Sequence, residues 1–154
     1  MRKSIGITLL MLAGLCVLVA AAGQASAQGE KAAIVWPAGD IKWTDNPAIK
    51  GAKIAVLWGD PAKGPYGAFR TLPAGPSLAL HTHTNDQRVI AVSGAIVLSM
   101  EGGSPKELGP GSYAFIPGGA KHSVQCKAGA ACTYFEEGMG ASDIEFVQGA
   151  ESKK

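Results

Sequence analysis

The sequence predicts an all-β fold, a sandwich or a barrel, over most of its 154 residues. Two observations indicate this class. The 21 glycines and nine prolines separate short apolar runs at close spacing. Beyond the N-terminal segment no long stretch has the 3.6-residue periodicity of a helix, and no internal repeat is visible. Short strands divided by Gly/Pro turns are typical of β-sandwiches and barrels.

The expected strands fill the middle of the chain, and its length suits one domain with a modest core. We assign residues 28–148 to that domain and residues 149–154 to a flexible tail. The predicted strands are 33–36, 41–44, 53–58, 67–72, 77–83, 88–92, 95–100, 113–116, 123–126, 132–136 and 144–147.

The first 27 residues have the pattern of an export signal. Arg2 and Lys3 give a positive start, residues 5–22 are apolar, and Ala25-Ser26-Ala27 is a small-x-small cleavage site. We expect cleavage after Ala27 and delivery to the periplasm or the exterior of a bacterium. Two alternatives are weaker. The apolar run approaches a membrane-spanning length, so it could be a retained membrane anchor. The cysteine at position 16 could carry a lipid, but a leucine precedes it where lipoprotein processing needs a small residue.

Cleavage would leave a formally neutral chain. Fourteen Lys and Arg stand against twelve Asp and Glu, and removing Arg2 and Lys3 makes the count twelve against twelve. No basic run remains except Lys153-Lys154, so nothing predicts nucleic-acid binding. We expect no membrane contact after cleavage, and a small molecule as the partner.

Cys126 and Cys132 would remain after cleavage, in a compartment that permits disulfides. Residues 127–131 between them are predicted to form a hairpin loop in which Gly129 supplies an unusual backbone angle. A bridge would join two neighbouring strands. Two free, buried thiols are the alternative, because cross-strand disulfide geometry is demanding.

The chain has three histidines, His81, His83 and His122. Side chains at i and i+2 of a strand emerge on one face, so His81 and His83 can reach the same point. His122 follows the turn 117–121 and belongs to a later strand. Imidazole binds Zn, Fe, Ni, Cu and Mn, and the three residues therefore predict a site for one divalent metal. The alternative is three ordinary imidazoles that happen to fit this spacing.

Two stretches resemble the paired motifs of the cupin superfamily. Residues 75–94 match Gly-x5-His-x-His-x3, a ligand position, six residues and Gly; residues 111–122 match Gly-x5-Pro-x-Gly-x2-His. The short gap between them is typical of small bacterial cupins. Residues 55–61 and 64–67 further resemble cupins related to the sensor module of zinc anti-sigma factors. The resemblance implies a single-domain jelly-roll β-barrel, often homodimeric, with the three histidines as metal ligands.

The chain departs from the motifs at two positions. Gln87 stands where the family has an acidic ligand, and Cys126 stands where the second motif ends in Asn. Glutamine ligates through its carbonyl oxygen and brings no charge. Gln87 is therefore predicted either as a fourth ligand or as a pocket residue beside a metal held by histidines and waters. A site of neutral ligands keeps the cation's full charge, and we expect it to favour an anion such as a carboxylate or enolate.

Other polar residues near the motifs have weaker assignments. Strand alternation turns Asp86 away from the face of Gln87, so we interpret it as a loop charge. Tyr113 is a candidate donor behind the ligands. Arg70 and Arg88 could pair with an acidic substrate, although such residues are more often solvated.

The strand of His81 and His83 indicates a homodimer. Leu78 and Leu80 are expected to project from the face opposite His81, so both faces of this strand need cover. A second sheet or a partner subunit would provide it.

Three functions remain open at this level. The first is a metal-dependent oxygenase acting on a small enolisable or acidic substrate, if the metal is Fe(II). The second is an isomerase, epimerase or lyase for an acidic sugar or small acid, with the metal as Lewis acid. The third is a periplasmic binding or sensing module without turnover. The metal is expected to be Fe, Mn, Ni or Zn, one per subunit, and no general acid–base pair is visible in the sequence.

Overall fold

A computed structural model describes residues 32–148, except residues 48 and 76. The predicted export signal and the predicted tail at 149–154 lie outside the described residues. In the described part, no helix is long and apolar enough to cross a membrane. The elements are the 3-10 helix Ala38–Asp40 and the strands β1 Thr44–Asp45, β2 Lys53–Gly59, β3 Tyr66–Leu72, β4 Ser77–Thr82, β5 Gln87–Ser93, β6 Ile96–Met100, β7 Lys106–Leu108, β8 Tyr113–Ile116, β9 His122–Cys126, β10 Cys132–Gly138 and β11 Glu145–Phe146.

The strands form two antiparallel sheets, which confirms the all-β prediction. The six-stranded sheet has the order β1-β2-β3-β10-β5-β8, and the five-stranded sheet has the order β11-β4-β9-β6-β7. Inward-facing residues from both sheets share one core. Its buried members are Ala52, Leu72, Val89, Ala91, Ile96, Ile116, Cys126, Cys132 and Tyr134.

Strict alternation in β5 and β10 decides which side chains point inward. In both strands every second residue is buried until β5 reaches its exposed end. The period of two is the ordinary consequence of strand geometry. Most inward positions are apolar, as a core requires, but Gln87 and Glu136 also lie on these inner faces, 6% and 5% exposed. Two polar groups are thereby buried between the sheets.

Three strand predictions differ from the structure, and one of them is the strand expected at 41–44, which is instead the two-residue β1 at Thr44–Asp45. Residues 33–36 form no strand: Ile34 and Val35 are exposed, and Trp36 is fixed by its ring N–H, which donates to the carbonyl of Leu57 at 2.8 Å. Strand β7 was not predicted, because two of its three residues are charged. It forms through backbone pairing with β6. The apolar residues at 33–36 were misleading, and the two charged residues of β7 concealed a strand whose Leu108 packs against the core.

The bridge between Cys126 and Cys132 is present. Its position differs from the prediction, because the two strands are not neighbours in one sheet. Cys126 ends β9 in the five-stranded sheet and Cys132 begins β10 in the six-stranded sheet. The disulfide therefore ties the two sheets together across a five-residue connection, in which Gly129 has a φ of +110°.

Strand β4 contains an irregularity that corrects the prediction for Leu78. Leu78 pairs with Val124, but His81 pairs with His122, so β4 has one extra residue between these pairs. An extra residue breaks the alternation of faces. Leu78 accordingly lines the same cavity as His81 and packs against the core, rather than pointing away from it.

We predict that the disulfide contributes about 2 kcal/mol to the free energy of unfolding, because it closes a short loop in the unfolded chain. The double variant Cys126→Ala/Cys132→Ala should unfold at lower denaturant concentration than the oxidised wild type. A reducing agent should destabilise the wild type and leave the double variant unchanged. Equal denaturation midpoints for oxidised wild type, reduced wild type and variant would show that the bridge has no such role.

Candidate metal centre

The three histidines converge at one end of the five-stranded sheet. His81 lies near the end of β4, His83 follows that strand, and His122 begins β9, directly opposite His81. One ring nitrogen from each residue lies within 4.8 Å of those of the other two. Ring centroids are separated by 4.3 Å for His81 and His122 and by 4.9 Å for His81 and His83. The predicted convergence is therefore present.

Backbone carbonyls orient all three rings. Nδ1 of His81 donates to the carbonyl oxygen of Ala79 at 2.7 Å, and Nδ1 of His122 donates to that of Ala120 at 2.9 Å. Nδ1 of His83 donates to the carbonyl oxygen of Asp143. A carbonyl oxygen only accepts, so Nδ1 of each ring carries the proton in these hydrogen bonds. Each Nε2 is then left with its lone pair. This is the tautomer that a metal ligand needs, and it is commonly fixed by such a carbonyl.

The surroundings of these nitrogens fit a cation. Among the described residues, Nε2 of His122 is buried without a hydrogen-bond partner, which is unfavourable unless another group satisfies it. Burial lowers the pKa of His81 to about 4 and also holds the pKa of His122 below its ordinary value. Both rings are therefore neutral at pH 7, as metal ligation requires. The three histidines could hold a metal ion.

The turn before His122 is held against the loop that follows β4. The amide of Gly118 donates to the Asp86 carboxylate at 2.8 Å, and the amide of Gly119 donates to the carbonyl of His83 at 2.8 Å. A Cβ at Gly118 would lie 2.4 Å from the carbonyl oxygen of Thr84, so this close approach needs glycine. Asp86 does not line the histidine cavity, as expected, but it fixes the turn that positions His122.

Asp143 holds the loop around His83 from the other side. Its carboxylate accepts from the Thr84 amide at 3.0 Å and from the Thr84 hydroxyl, while its backbone carbonyl accepts from His83. Partial burial would raise the pKa of Asp143, but the hydrogen bonds from Thr84 outweigh it and hold that pKa below the ordinary value. The carboxylate is thus ionised at neutral pH. Sequence reasoning missed this residue, which lies 60 positions from His83.

A cavity of about 190 Å³ adjoins the histidines and lies between the two sheets. The five-stranded sheet contributes the imidazoles, and the six-stranded sheet contributes Gln87 at the start of β5. The structure records no hydrogen bond from the Gln87 side chain to another described residue. The four residues predicted as ligands therefore line one cavity.

Three further polar residues, Arg70, Glu136 and Tyr66, are packed together in the six-stranded sheet. Nε of Arg70 lies 3.0 Å from Oε2 of Glu136, an ion pair whose angle is not that of a straight hydrogen bond. The Tyr66 hydroxyl donates to Oε1 of Glu136, and an Arg70 terminal nitrogen lies 3.2 Å from the Tyr66 oxygen. Arg70 and Glu136 line the histidine cavity.

This cluster corrects the interpretation of Arg70 as a solvated charge. Its side chain is mostly buried, and its partner Glu136 had not been identified as a site residue. Alternation in residues 132–136 would have placed Glu136 on the face of Cys132 and Tyr134. This alternation was the signal from which an inward-facing Glu136 could have been predicted.

Two other sequence candidates lie outside the site. Tyr113 is 57% exposed and does not line the cavity, so it is not a donor behind the ligands. Arg88 pairs with Glu137 at 2.9 Å and also lies outside the cavity lining. Both belong to the outer face of the six-stranded sheet, because their strands alternate between inner and outer residues.

Comparison with protein families gives one match, to the family described as a domain of unknown function (DUF4437), over residues 19–136. The chain belongs to this family. Among proteins with a curated description, none matches the sequence. The narrower resemblance to the sensor module of zinc anti-sigma factors is not supported by these comparisons.

Solved structures with the same architecture include three of interest. The polyketide cyclase RemF from Streptomyces resistomycificus is 22% identical, with a TM-score of 0.59 over 71% of this chain and 81% of that one. An RmlC-like cupin from Shewanella frigidimarina is 17% identical, with a TM-score of 0.59 over 73% and 95%. The DMSP lyase DddQ from Ruegeria pomeroyi is 18% identical, with a TM-score of 0.58 over 71% and 62%. The fold is therefore the cupin jelly roll.

We predict that Asp143→Ala lowers the affinity for a divalent metal about 10- to 100-fold, the usual effect of losing a group that orients a ligand. The physical reason is that Thr84 would lose its acceptor, and the carbonyl that orients His83 would shift. Isothermal titration of metal-free protein with Zn²⁺ measures the effect. The exposed Glu145→Ala in β11 is the matched control and should bind like the wild type. Equal affinities for all three proteins would show that Asp143 does not position His83.

Proposed function

We propose that this protein is an exported metal-dependent enzyme that acts on a small anionic substrate, as an isomerase, epimerase or lyase. The observation that carries the proposal is the convergence of three imidazoles, with no carboxylate in their cluster among the described residues. His81, His83 and His122 would hold one divalent metal, Fe, Mn, Ni or Zn. Gln87 would be the fourth ligand, through its carbonyl oxygen.

Charge favours an anionic substrate. The Gln87 amide is neutral, as are imidazoles that ligate a metal, and the charges of Arg70 and Glu136 offset one another as a pair. The Asp143 carboxylate also lines the cavity, but it is held by hydrogen bonds from Thr84. With no carboxylate in the three-histidine cluster, a bound cation would keep its full charge and attract an anion into the cavity. When bound, the metal supplies a Lewis acid that polarises a carboxylate or carbonyl oxygen of the substrate.

The size of the cavity favours a small substrate. Its volume of about 190 Å³ lies below the roughly 300–1,000 Å³ typical of sites for drug-sized ligands. An acid with a handful of non-hydrogen atoms would fill this space. A large polymer could present only one end to the histidines.

A buried carboxylate in the same cavity favours proton-transfer chemistry over oxygenation. Glu136 and the hydroxyl group that donates to it are groups that move protons, whereas an oxygenase needs open metal positions and a redox-active ion. A sensing module without turnover needs no proton-transfer group, so the buried carboxylate also favours an enzyme over a sensing module. Two of the similar structures carry the names of a cyclase and a lyase.

Export to the periplasm or beyond remains part of the proposal. The proposal of export, with cleavage after Ala27, rests on the signal-like pattern of the first 27 residues. The disulfide supports it, because such bonds persist in oxidising compartments. Comparing the mass of the native protein with that expected for residues 28–154 tests the cleavage.

We also propose a homodimer formed through an apolar surface on the outer face of the six-stranded sheet. Direct cross-strand neighbours form a continuous row from Phe69 through Phe135 and Ile90 to Tyr113. Trp43 stacks on Phe69 at 6.4 Å and extends the row. Contiguous exposed apolar surface of this kind marks an interaction site. A second copy is the occupant that the cupin resemblance implies.

Ile90→Glu should convert this dimer to a monomer, because Ile90 lies in the centre of the row and is 42% exposed. Light scattering after gel filtration gives the mass directly. Val35→Glu alters an apolar, exposed residue that is not a member of the row and should leave the dimer intact. A monomeric wild type, or a dimer insensitive to Ile90→Glu, would rule out this interface.

One set of measurements tests both metal binding and anion binding. Native protein should carry close to one Fe, Mn, Ni or Zn per chain by elemental analysis, and metal-free protein should bind one Zn²⁺. The loaded protein should then bind oxalate, a small dicarboxylate, while His122→Ala should bind neither. Oxygen uptake with the Fe-loaded protein would instead favour the oxygenase. Failure to bind metal would overturn the proposal.

We predict that Gln87→Glu binds metal more tightly and oxalate more weakly than the wild type. A carboxylate ligand would cancel one unit of the cation's charge, which strengthens the metal bond and weakens attraction for the anion. The exposed Gln125→Glu adds the same charge outside the cavity and serves as the matched control. Weaker metal binding by Gln87→Glu would refute the charge argument.

A further inference from the structure

The buried polar side chains of the described residues point to a second functional group in the cavity. They are His81, Gln87, His122 and Glu136. The first three occupy predicted ligand positions, which leaves Glu136 without an assigned role. Burying a carboxylate is unfavourable, and a buried ion pair is often no more stable than apolar residues of similar volume. Stability alone therefore gives little reason for a carboxylate at position 136.

Neighbouring residues hold Glu136 in one position. Tyr66 donates to one carboxylate oxygen, and Arg70 lies 3.0 Å from the other. A Cβ at position 138 would lie 2.4 Å from the Tyr66 ring, so Gly138 leaves the space that the phenol needs. Burial, followed by the charge of Glu136, raises the pKa of Tyr66, so its hydroxyl remains a donor at neutral pH. Arg70 in turn contacts Ser142 at 3.2 Å.

Glu136 faces the histidines across the cavity but does not belong to their cluster. Its strand lies in the six-stranded sheet, whereas the histidines belong to the five-stranded sheet and the loop after β4. Glu136 and the three imidazoles line the same cavity. The negative charge of Glu136 partly offsets the lowering of the His122 pKa, so the two groups interact through space. In the described part of the chain, the cluster that could hold a metal contains only the three histidines.

We propose that Glu136 is the general base that removes a proton from the carbon next to the carbonyl of a 2-oxo acid bound at the histidine site. This inference rests on the proposed metal-dependent function. In the step, the substrate C–H bond breaks and its proton forms an O–H bond with the Glu136 carboxylate. The electron pair of the C–H bond becomes the C=C π bond of an enolate, while the π pair of the C=O bond moves onto its oxygen, and this negative oxygen faces the histidine site. Return of the proton to the same or another carbon completes an exchange or an isomerisation, and no oxidant is needed.

Tyr66 and Arg70 are positioning residues in this proposal. They fix the two carboxylate oxygens, Tyr66 by a hydrogen bond to one and Arg70 by an ion pair with the other. The three histidines would hold the substrate acid on the opposite side of the cavity. Proton removal by a positioned side chain typically contributes a factor of 10² to 10⁴ in rate.

The experiment follows hydrogen–deuterium exchange at the methyl group of pyruvate in deuterium oxide by proton NMR. Zn²⁺-loaded wild type is compared with Glu136→Gln and with Glu137→Gln. Glu137 is the matched control, because it is the next residue of β10, points to the outer face and pairs with Arg88. Zn²⁺ and pyruvate affinities are measured for each protein by titration.

We expect the wild type and Glu137→Gln to exchange pyruvate protons in a Zn²⁺-dependent way, and Glu136→Gln to be at least ~100-fold slower. Glu136→Gln should bind Zn²⁺ as the wild type does, and should bind pyruvate equally well or more tightly, because a negative charge is removed from the cavity. A residue with only a structural role would not separate binding from exchange in this way.

Glu136→Gln leaves Arg70 without its partner and could destabilise the fold. The double variant Glu136→Gln/Arg70→Met removes both charges and should give the same loss of exchange with retained Zn²⁺ binding. Exchange at the wild-type rate in either variant overturns the proposal. A wild type that binds Zn²⁺ and pyruvate without exchange also overturns it, and leaves the metal-dependent function standing. A wild type that binds no metal overturns the proposed function itself, and this inference with it.

Discussion

The hydrogen bonds from Nδ1 of each histidine to a backbone carbonyl are the interactions on which the site depends. They fix the tautomer and the direction of every ring, so that the remaining nitrogens converge. Because the acceptors are backbone atoms, the geometry of the site follows from the path of the chain. The irregularity in β4, the turn at 117–121 and the chain around Asp143 are therefore parts of the site, although they supply no ligand.

The two ends of the space between the sheets differ in chemistry, one being apolar and the other polar. Strand β9 begins with His122 and ends with Cys126, about 13 Å further along at the rise of a β-strand. Strand β10 has the same arrangement in the other sheet, with Cys132 at one end and Glu136 toward the other. The disulfide and apolar residues close one end of the space between the sheets. The opposite end can then hold polar groups without weakening the core that positions them.

Local patterns predicted the fold and the histidines well, because period two and i, i+2 spacing are properties of neighbouring residues. The errors have a different origin. Leu78 was assigned to the wrong face because an extra residue in β4 leaves no mark in the sequence. The pair of Arg70 and Glu136 joins positions 66 residues apart, and their strands β3 and β10 become neighbours only through the sheet order. The disulfide position depends on the same long-range order.

The placement of charge in the cavity explains why glutamine at position 87 and glutamate at position 136 belong together. A carboxylate at position 87 would face the cation and reduce its ability to polarise a substrate oxygen. It would also add a further negative charge to a confined space that already contains Glu136, where like charges interact strongly. With Gln87 neutral, a bound cation would keep its charge, and Glu136 stays on the facing sheet, balanced by Arg70. Asp143, the other carboxylate of the lining, is held by Thr84. On the proposed function, the arrangement would separate an electrophilic side from a basic side, and an anionic acid that fills the space between them would contact both.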